Sequence, residues 1–182
     1  MSVWDLTDEE KNNMRKAGWS DSAIAYFTKG DYLGPLESAD VCHMARTETG
    51  MAVRFCIRVS EGRIESAKFT YQGCPAFAAI CTAVAEGSLS KTFDEVESTS
   101  GADIWEIIGG LPEGHEKDVE FVLGAFRETL TIYRKQKRVT REQHEVYQHI
   151  CGLTGRQLDD LDSDPCGECP WIQNCENDHV VI

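Results

Sequence analysis

Basic residues are scarce in this sequence: 18 Lys and Arg stand against 31 Asp and Glu, a formal net charge of −13. Phosphate backbones repel such a surface, so nucleic acid is not an expected partner, and metal cations or basic protein patches fit better. Long apolar runs are missing too. The longest nearly apolar stretch, Pro75 to Ala85, falls well short of the roughly 20 residues that span a bilayer. The opening Met1-Ser2-Val3-Trp4-Asp5 has neither a basic n-region nor an apolar h-region, so a soluble, cytoplasmic protein without a membrane partner is expected. There is no G-x-G-x-x-G, P-loop, H-E-x-x-H or G-x-S-x-G motif, and on so acidic a surface paired carboxylates do not mark acid–base chemistry. No enzymatic activity is expected.

What is present is a chain able to build a core, with 41% hydrophobic residues, and eight cysteines. Without a secretion signal, that many thiols argue for metal or redox use and against a disulfide framework. Residues 1–33 read as an N-terminal helical segment. Thr7 with Glu10 forms a capping box, Ser20 or Asp21 caps a second helix, and Asp31 to Pro35 reads as a linker. Residues 34–138 read as one domain. Val53, Phe55, Ile57 and Val59 alternate with Arg54, Cys56 and Arg58, which predicts a strand and places Cys56 on its exposed face without a role. Ser60-Glu61-Gly62 reads as a hairpin turn into a partner strand, Ile64–Tyr71. Cys74–Ala85 reads as a helix buried on several sides, with Cys81 a core position. Short helices follow over Lys91–Ile108, with His115 in a loop. In Lys117–Arg138 the residues Val119, Val122, Leu123, Phe126, Leu130 and Tyr133 share one helical stripe. The fold class expected is α+β, a small antiparallel sheet with helices on one face. Residues 139–182 read as a further helix, capped by Thr140 with Gln143 and running to about Cys151, plus a cysteine-rich tail.

From Gly152 on, the tail carries Asp159, Asp160, Asp162, Asp164, Glu168, Glu176 and Asp178 against the single base Arg156. Such a segment has little to bury, and a metal can order it instead. Cys166, Cys169 and Cys175 form C-x2-C-x5-C, and Cys151 upstream can supply a fourth thiolate, with His149 as a substitute for it. Four thiolates suit a [4Fe–4S] cluster, one per iron, and also tetrahedral zinc, although structural zinc more often uses two short knuckles. Pro165 to Cys175 resembles the iron–sulfur loop of endonuclease-III-type glycosylases. It departs from that pattern in the fourteen residues separating Cys151 from Cys166, where that family has a shorter gap.

A second resemblance covers Gly34 to about Lys135. Gly62-Arg63-Ile64-Glu65-Ser66-Ala67-Lys68-Phe69-Thr70-Tyr71-Gln72-Gly73-Cys74, Lys91-Thr92-Phe93-Asp94-Glu95-Val96 and Gly110-Leu111-Pro112 are similar to stretches of the IscU/NifU-type scaffold proteins of iron–sulfur cluster assembly. The resemblance implies a small sheet packed by helices and a role as scaffold or carrier, with a cysteine desulfurase or iron–sulfur apoproteins as partners and a homo-oligomer compatible with it. It also implies a site of three cysteines and an aspartate. The positions matching the first cysteine and the aspartate read Thr49-Gly50-Met51, the second cysteine matches Cys74, and the pair matching the third reads Lys117-Asp118. One thiolate of three remains. A replacement set of Cys42, Cys74, Cys81 and His115, with Asp118 as a carboxylate ligand, is conceivable near the same end. Two readings compete with the scaffold: an electron-transferring iron–sulfur subunit of a redox complex, and a zinc-stabilised interaction module.

Overall fold

The computed structural model describes the backbone of residues 6–154 and the side chains of residues 6–137. Among the described residues, six helices and three strands follow in the order α1 (Asp8–Lys16), α2 (Asp21–Thr28), β1 (Val41–Arg46), β2 (Ala52–Ser60), β3 (Arg63–Gln72), α3 (Pro75–Ser88), α4 (Phe93–Ser98), α5 (Gly101–Ile108) and α6 (Glu116–Thr154). The chain divides into two units at Tyr133/Arg134. Of the second, only the backbone of α6 to Thr154 and the side chains to Lys137 are described.

The strands form an antiparallel sheet in the order β1-β2-β3. The predicted hairpin is a two-residue turn: Ser60 pairs with Arg63, and Glu61 and Gly62 both take positive φ, the geometry that matches strand twist. A register shift between Arg58 and Val59 ends the strict alternation there. One face of the sheet is apolar. Phe55 meets Phe69 at 6.0 Å between ring centroids, and Phe126 of α6 stands edge-on to Phe55 at 5.0 Å. The expected stripe of α6, from Val119 to Tyr133, is buried against this face. So are Phe77, Ile80, Cys81 and Val84 of α3, a helix buried on nearly every side over Ala76–Ala85. His43 of β1 reaches the same side and pairs with Glu128 of α6 at 3.2 Å.

The N-terminal helices begin as expected, with the Thr7/Glu10 capping box and Ser20 capping α2. Ser20 also donates from Oγ to the Ile108 carbonyl at 2.6 Å, and its backbone N–H bonds the Gly110 carbonyl. Lys29 pairs with Glu86 of α3 at 2.6 Å. The stretch read as a linker is pinned to the sheet edge: Gly34 donates to the Phe69 carbonyl and Phe69 to that of Tyr32. An edge strand offers unpaired backbone groups, and this segment takes some of them.

Two further expectations are corrected. The backbone stays helical through Thr140, so no new helix is capped there; with no Gly or Pro between Arg138 and Gln143, nothing in the sequence breaks the turn. Cys56 is not an exposed residue without a role. It is 8% exposed and disulfide-bonded to Cys42, its direct partner in the β1–β2 register. Alternation assigns a residue to a face, but only the register says what stands opposite it.

Ser20 joins α2 to the end of α5 through both its cap and its hydroxyl. Replacing it (Ser20→Ala) is expected to lower global stability by about 1–2 kcal/mol, a cap plus one hydrogen bond. Urea denaturation monitored by circular dichroism checks this. An unchanged midpoint would show that the N-terminal helices fold independently of the sheet.

Candidate metal and thiol site

At the end of β3 the chain turns sharply into α3 through Gly73, Cys74 and Pro75. A Cβ on Gly73 would sit 3.0 Å from the Phe77 ring, so only glycine fits without displacing a core side chain. Pro75 occupies the first helical position, where its fixed φ suits the helix and its missing N–H costs nothing. Cys74 is the N-cap residue with no side-chain capping bond, half-buried, its thiol free. The positive end of α3 lies beside it and favours an anionic group there.

Register brings the other matching positions to the same end of the sheet. Ala52 pairs with Gln72, so the β1–β2 turn holding Thr49 and Met51 lies next to the β3–α3 junction. That turn is closed by its own bonds. Thr47 N–H donates to the Met51 carbonyl at 2.8 Å and Met51 N–H to Thr47 Oγ1 at 3.0 Å, while the Thr47 and Thr49 hydroxyls stand 2.9 Å apart. Thr49 thus has a partner of its own, and neither it nor Met51 offers an anionic donor.

Asp118 lies in the first turn of α6, bonded to His115 Nδ1 at 2.7 Å. His115, expected in a loop, stands immediately before α6, and its carbonyl accepts from the Asp118 and Val119 N–H groups. The charge of Asp118 reaches Cys81, two turns along α3 from Cys74. Burial pushes the Cys81 thiol well above the ordinary thiol range, and the charges of Asp118 and Cys74 act in the same direction. Burial likewise raises the Tyr71 phenol, with Cys81 and Cys74 adding to it. Tyr71, Cys74, Cys81 and Asp118 therefore share one electrostatic neighbourhood.

They do not converge as a metal site. Among the described residues no three His, Cys, Asp or Glu side chains are placed to hold one ion. Cys81 is fully buried, as its core reading required. Cys42 is not at this end. It pairs with Cys56, four residues from the Arg46–Ala52 pair, or roughly 13 Å along the strand. It does not join the expected replacement set, because β1 runs from Val41 toward the turn after Arg46 and Cys42 stands at the far end of that strand. Cys151 falls in the last turns of α6, where only backbone is described, and Cys166, Cys169 and Cys175 lie outside the described residues. Sequence reading missed the Cys42–Cys56 pair and the His115–Asp118 bond. The i, i+3 spacing of the latter pair was the available signal.

Comparison with known proteins gives a consistent likeness. The family model described as "NifU-like N terminal domain" matches residues 19–140. Two proteins of Archaeoglobus fulgidus, described as iron–sulfur cluster assembly scaffold proteins IscU 1 and IscU 2, are each 27% identical over 125 residues, covering 68% of this chain and 82% of theirs. Among solved structures, the N-terminal part of a NifU-like protein from Brucella abortus superimposes with a TM-score of 0.52 at 12% identity, covering 64% of this chain and 94% of that one. A putative SUF-system scaffold protein from Fervidobacterium islandicum gives 0.52 at 15% identity, covering 62% and 96%. At these identities the solved structures speak to the fold, and they match its three-stranded antiparallel sheet with helices.

The two free thiols in the described residues should differ sharply in reactivity. A raised pKa keeps Cys81 protonated through neutral pH, and burial shields it. In the native protein at pH 7.5, iodoacetamide is expected to label Cys74 and to leave Cys81 unlabelled until denaturant is added, as read by peptide mass spectrometry. Equal labelling of both would contradict the buried placement of Cys81.

Proposed function

The chain belongs to the NifU-like N-terminal domain family, and we propose that it serves iron–sulfur cluster assembly as a scaffold or carrier whose cluster is held by its C-terminal cysteines. The observation that carries this reading is the state of the domain's own site. Of the three positions matching the family's cysteines, only Cys74 is a thiol, and no group of three ligating side chains forms among the described residues. Iron in such clusters needs several soft anionic donors, and Cys74 supplies one. Asp118 can add an oxygen donor, but its carboxylate is already bonded to His115.

The donor set able to hold a cluster is Cys151, Cys166, Cys169 and Cys175, four thiolates for the four irons of a [4Fe–4S] cube. The cluster is cargo to be received and handed on, so the protein needs no catalytic residue. Its partners are proteins: a cysteine desulfurase on the supply side, iron–sulfur apoproteins on the delivery side. The loss of two family cysteines also favours a second reading, in which the domain is a platform and the cluster relays electrons in a redox complex. Zinc on the same thiolates is the third.

Anaerobic purification of the full chain, with iron, sulfide and zinc counted, tests the reading. Iron and sulfide are expected near four each per chain by the stoichiometry of the cube. Cys166→Ser with Cys169→Ser should abolish most of that, and Cys74→Ser should leave it. One zinc per chain and no sulfide would select the interaction module. Loss of the cluster in Cys74→Ser would move the site to the domain.

The domain's loss should also be reversible. With the tail cysteines replaced by serine, Thr49→Cys, Met51→Asp and Asp118→Cys together are expected to restore sulfide-containing absorbance on reconstitution. The same protein without those three changes should stay colourless.

A further inference from the structure

The face of the sheet turned away from α3 and α6 carries a feature the assembly reading does not use. Across its middle runs one row of directly paired residues, Cys42 of β1, Cys56 of β2 and Lys68 of β3. Arg54 and Arg58 precede and follow Cys56 by two residues on the same face. Cβ atoms of such neighbours stand about 5–8 Å apart, so three basic residues flank Cys56 on this face. In a chain of net charge −13 this is an exception. Two carboxylates temper it: Glu65 bonds Arg58 at 2.6 Å, and Asp31 lies within electrostatic range of Lys68. The two residues differ in exposure. Cys56 is 8% exposed, whereas Cys42 is half-exposed, beside Met44 at 59%.

We propose that Cys42–Cys56 is a thiol–disulfide exchange site that takes small anionic thiols. The incoming thiolate attacks Cys42 Sγ, on the more exposed residue of the pair, forming a mixed disulfide as the Cys42–Cys56 bond breaks. Cys56 leaves as a thiolate, and Lys68, Arg54 and Arg58 stabilise the charge it acquires. A second thiolate then attacks the mixed disulfide and releases Cys42. Two thiols are oxidised to one disulfide, the protein disulfide is reduced by two electrons, and the two protons leaving the thiols end on Cys42 and Cys56 or in solvent. The reverse sequence, with an oxidised small disulfide as the electron acceptor, restores the bond. Cations placed around the leaving sulfur lower the barrier to both directions, and they draw an anionic reagent to the face. A purely structural staple would have no use for this arrangement.

The test uses the full chain. The bond is opened with glutathione, which is anionic, or with cysteamine, which is cationic, at matched thiolate concentration. Free Cys42 and Cys56 are then alkylated and quantified by peptide mass spectrometry. At low ionic strength glutathione is expected to open the bond about tenfold faster than cysteamine. The gap should close in 0.5 M salt, where screening acts over a few ångströms, and in Arg54→Gln with Lys68→Gln. Cys56→Ser is expected to trap glutathione on Cys42, and Cys42→Ser to carry no adduct on Cys56, each with an unchanged circular dichroism spectrum. Two results would overturn the proposal. One is a bond that opens only in denaturant, which marks a staple. The other is opening at equal rates by both reagents in native protein, which leaves the cations without a role.

Discussion

Everything described in the first unit depends on burying one face of a three-stranded sheet. So small a sheet cannot be stable alone, and its apolar face must be covered. The contact that does this is between Phe55 at the centre of β2 and the edge-on ring of Phe126 in α6. Phe77 and Ile80 of α3 fill in beside it. Once that face is committed, the strand register is fixed, because a slip by one residue would send Val53, Phe55 and Ile57 into solvent and Arg54 and Arg58 into the core. The fixed register in turn decides which side chains meet at the end of β3 and which cysteines face each other across β1 and β2.

The same constraint separates two kinds of sulfur chemistry. Cys74 lies at the rim of the covered side, held by a turn whose glycine is dictated by the Phe77 ring. Cys42 and Cys56 lie on the opposite side among cations. A thiol next to a helix N-terminus suits holding or accepting, while a pair opposed in register suits exchange. Neither can substitute for the other, since the strands keep the cysteine pair several residues away from the turn at Thr47–Met51.

Most of the domain was legible in its sequence because its signals are redundant. The stripe from Val119 to Tyr133 announces a helix and names its buried side at once, and the turn at Glu61-Gly62 is marked by a glycine that takes positive φ without a Cβ clash. What was not legible depended on tertiary pairing. Residues Tyr32 to Gly34 look like a linker because their partner, Phe69, is far away in sequence. Cys56 looks idle because alternation gives its face and not its neighbour. The helix through Thr140 was cut in two by a capping pattern, Thr140 with Gln143, that also fits a helix interior when the turn before it is intact.

The candidate site shows why ligand identity is harder to read than fold. The positions matched by the resemblance share one place: the Thr49–Met51 turn, Cys74 and Asp118 gather at one end of the sheet because the sheet and α6 put them there. Their chemistry is not. A cluster needs donors that are soft, anionic and convergent, and each departure removes one of those properties. Thr49 is hard and neutral, and its hydroxyl stands against that of Thr47. Met51 is soft but neutral. Asp118 is anionic but hard, and its carboxylate is turned to His115. Cys81 is soft, yet its burial and the Asp118 charge both hold it in the neutral thiol form. Cys74 alone is a soft donor that is free and partly exposed, and among the described residues no second and third donor converge on it. The proposed function rests on this contrast between a place kept by packing and a donor set that does not suit a cluster, and it assigns the cluster to another holder. The thiolates that could be that holder are the ones spaced as C-x2-C-x5-C beyond the domain.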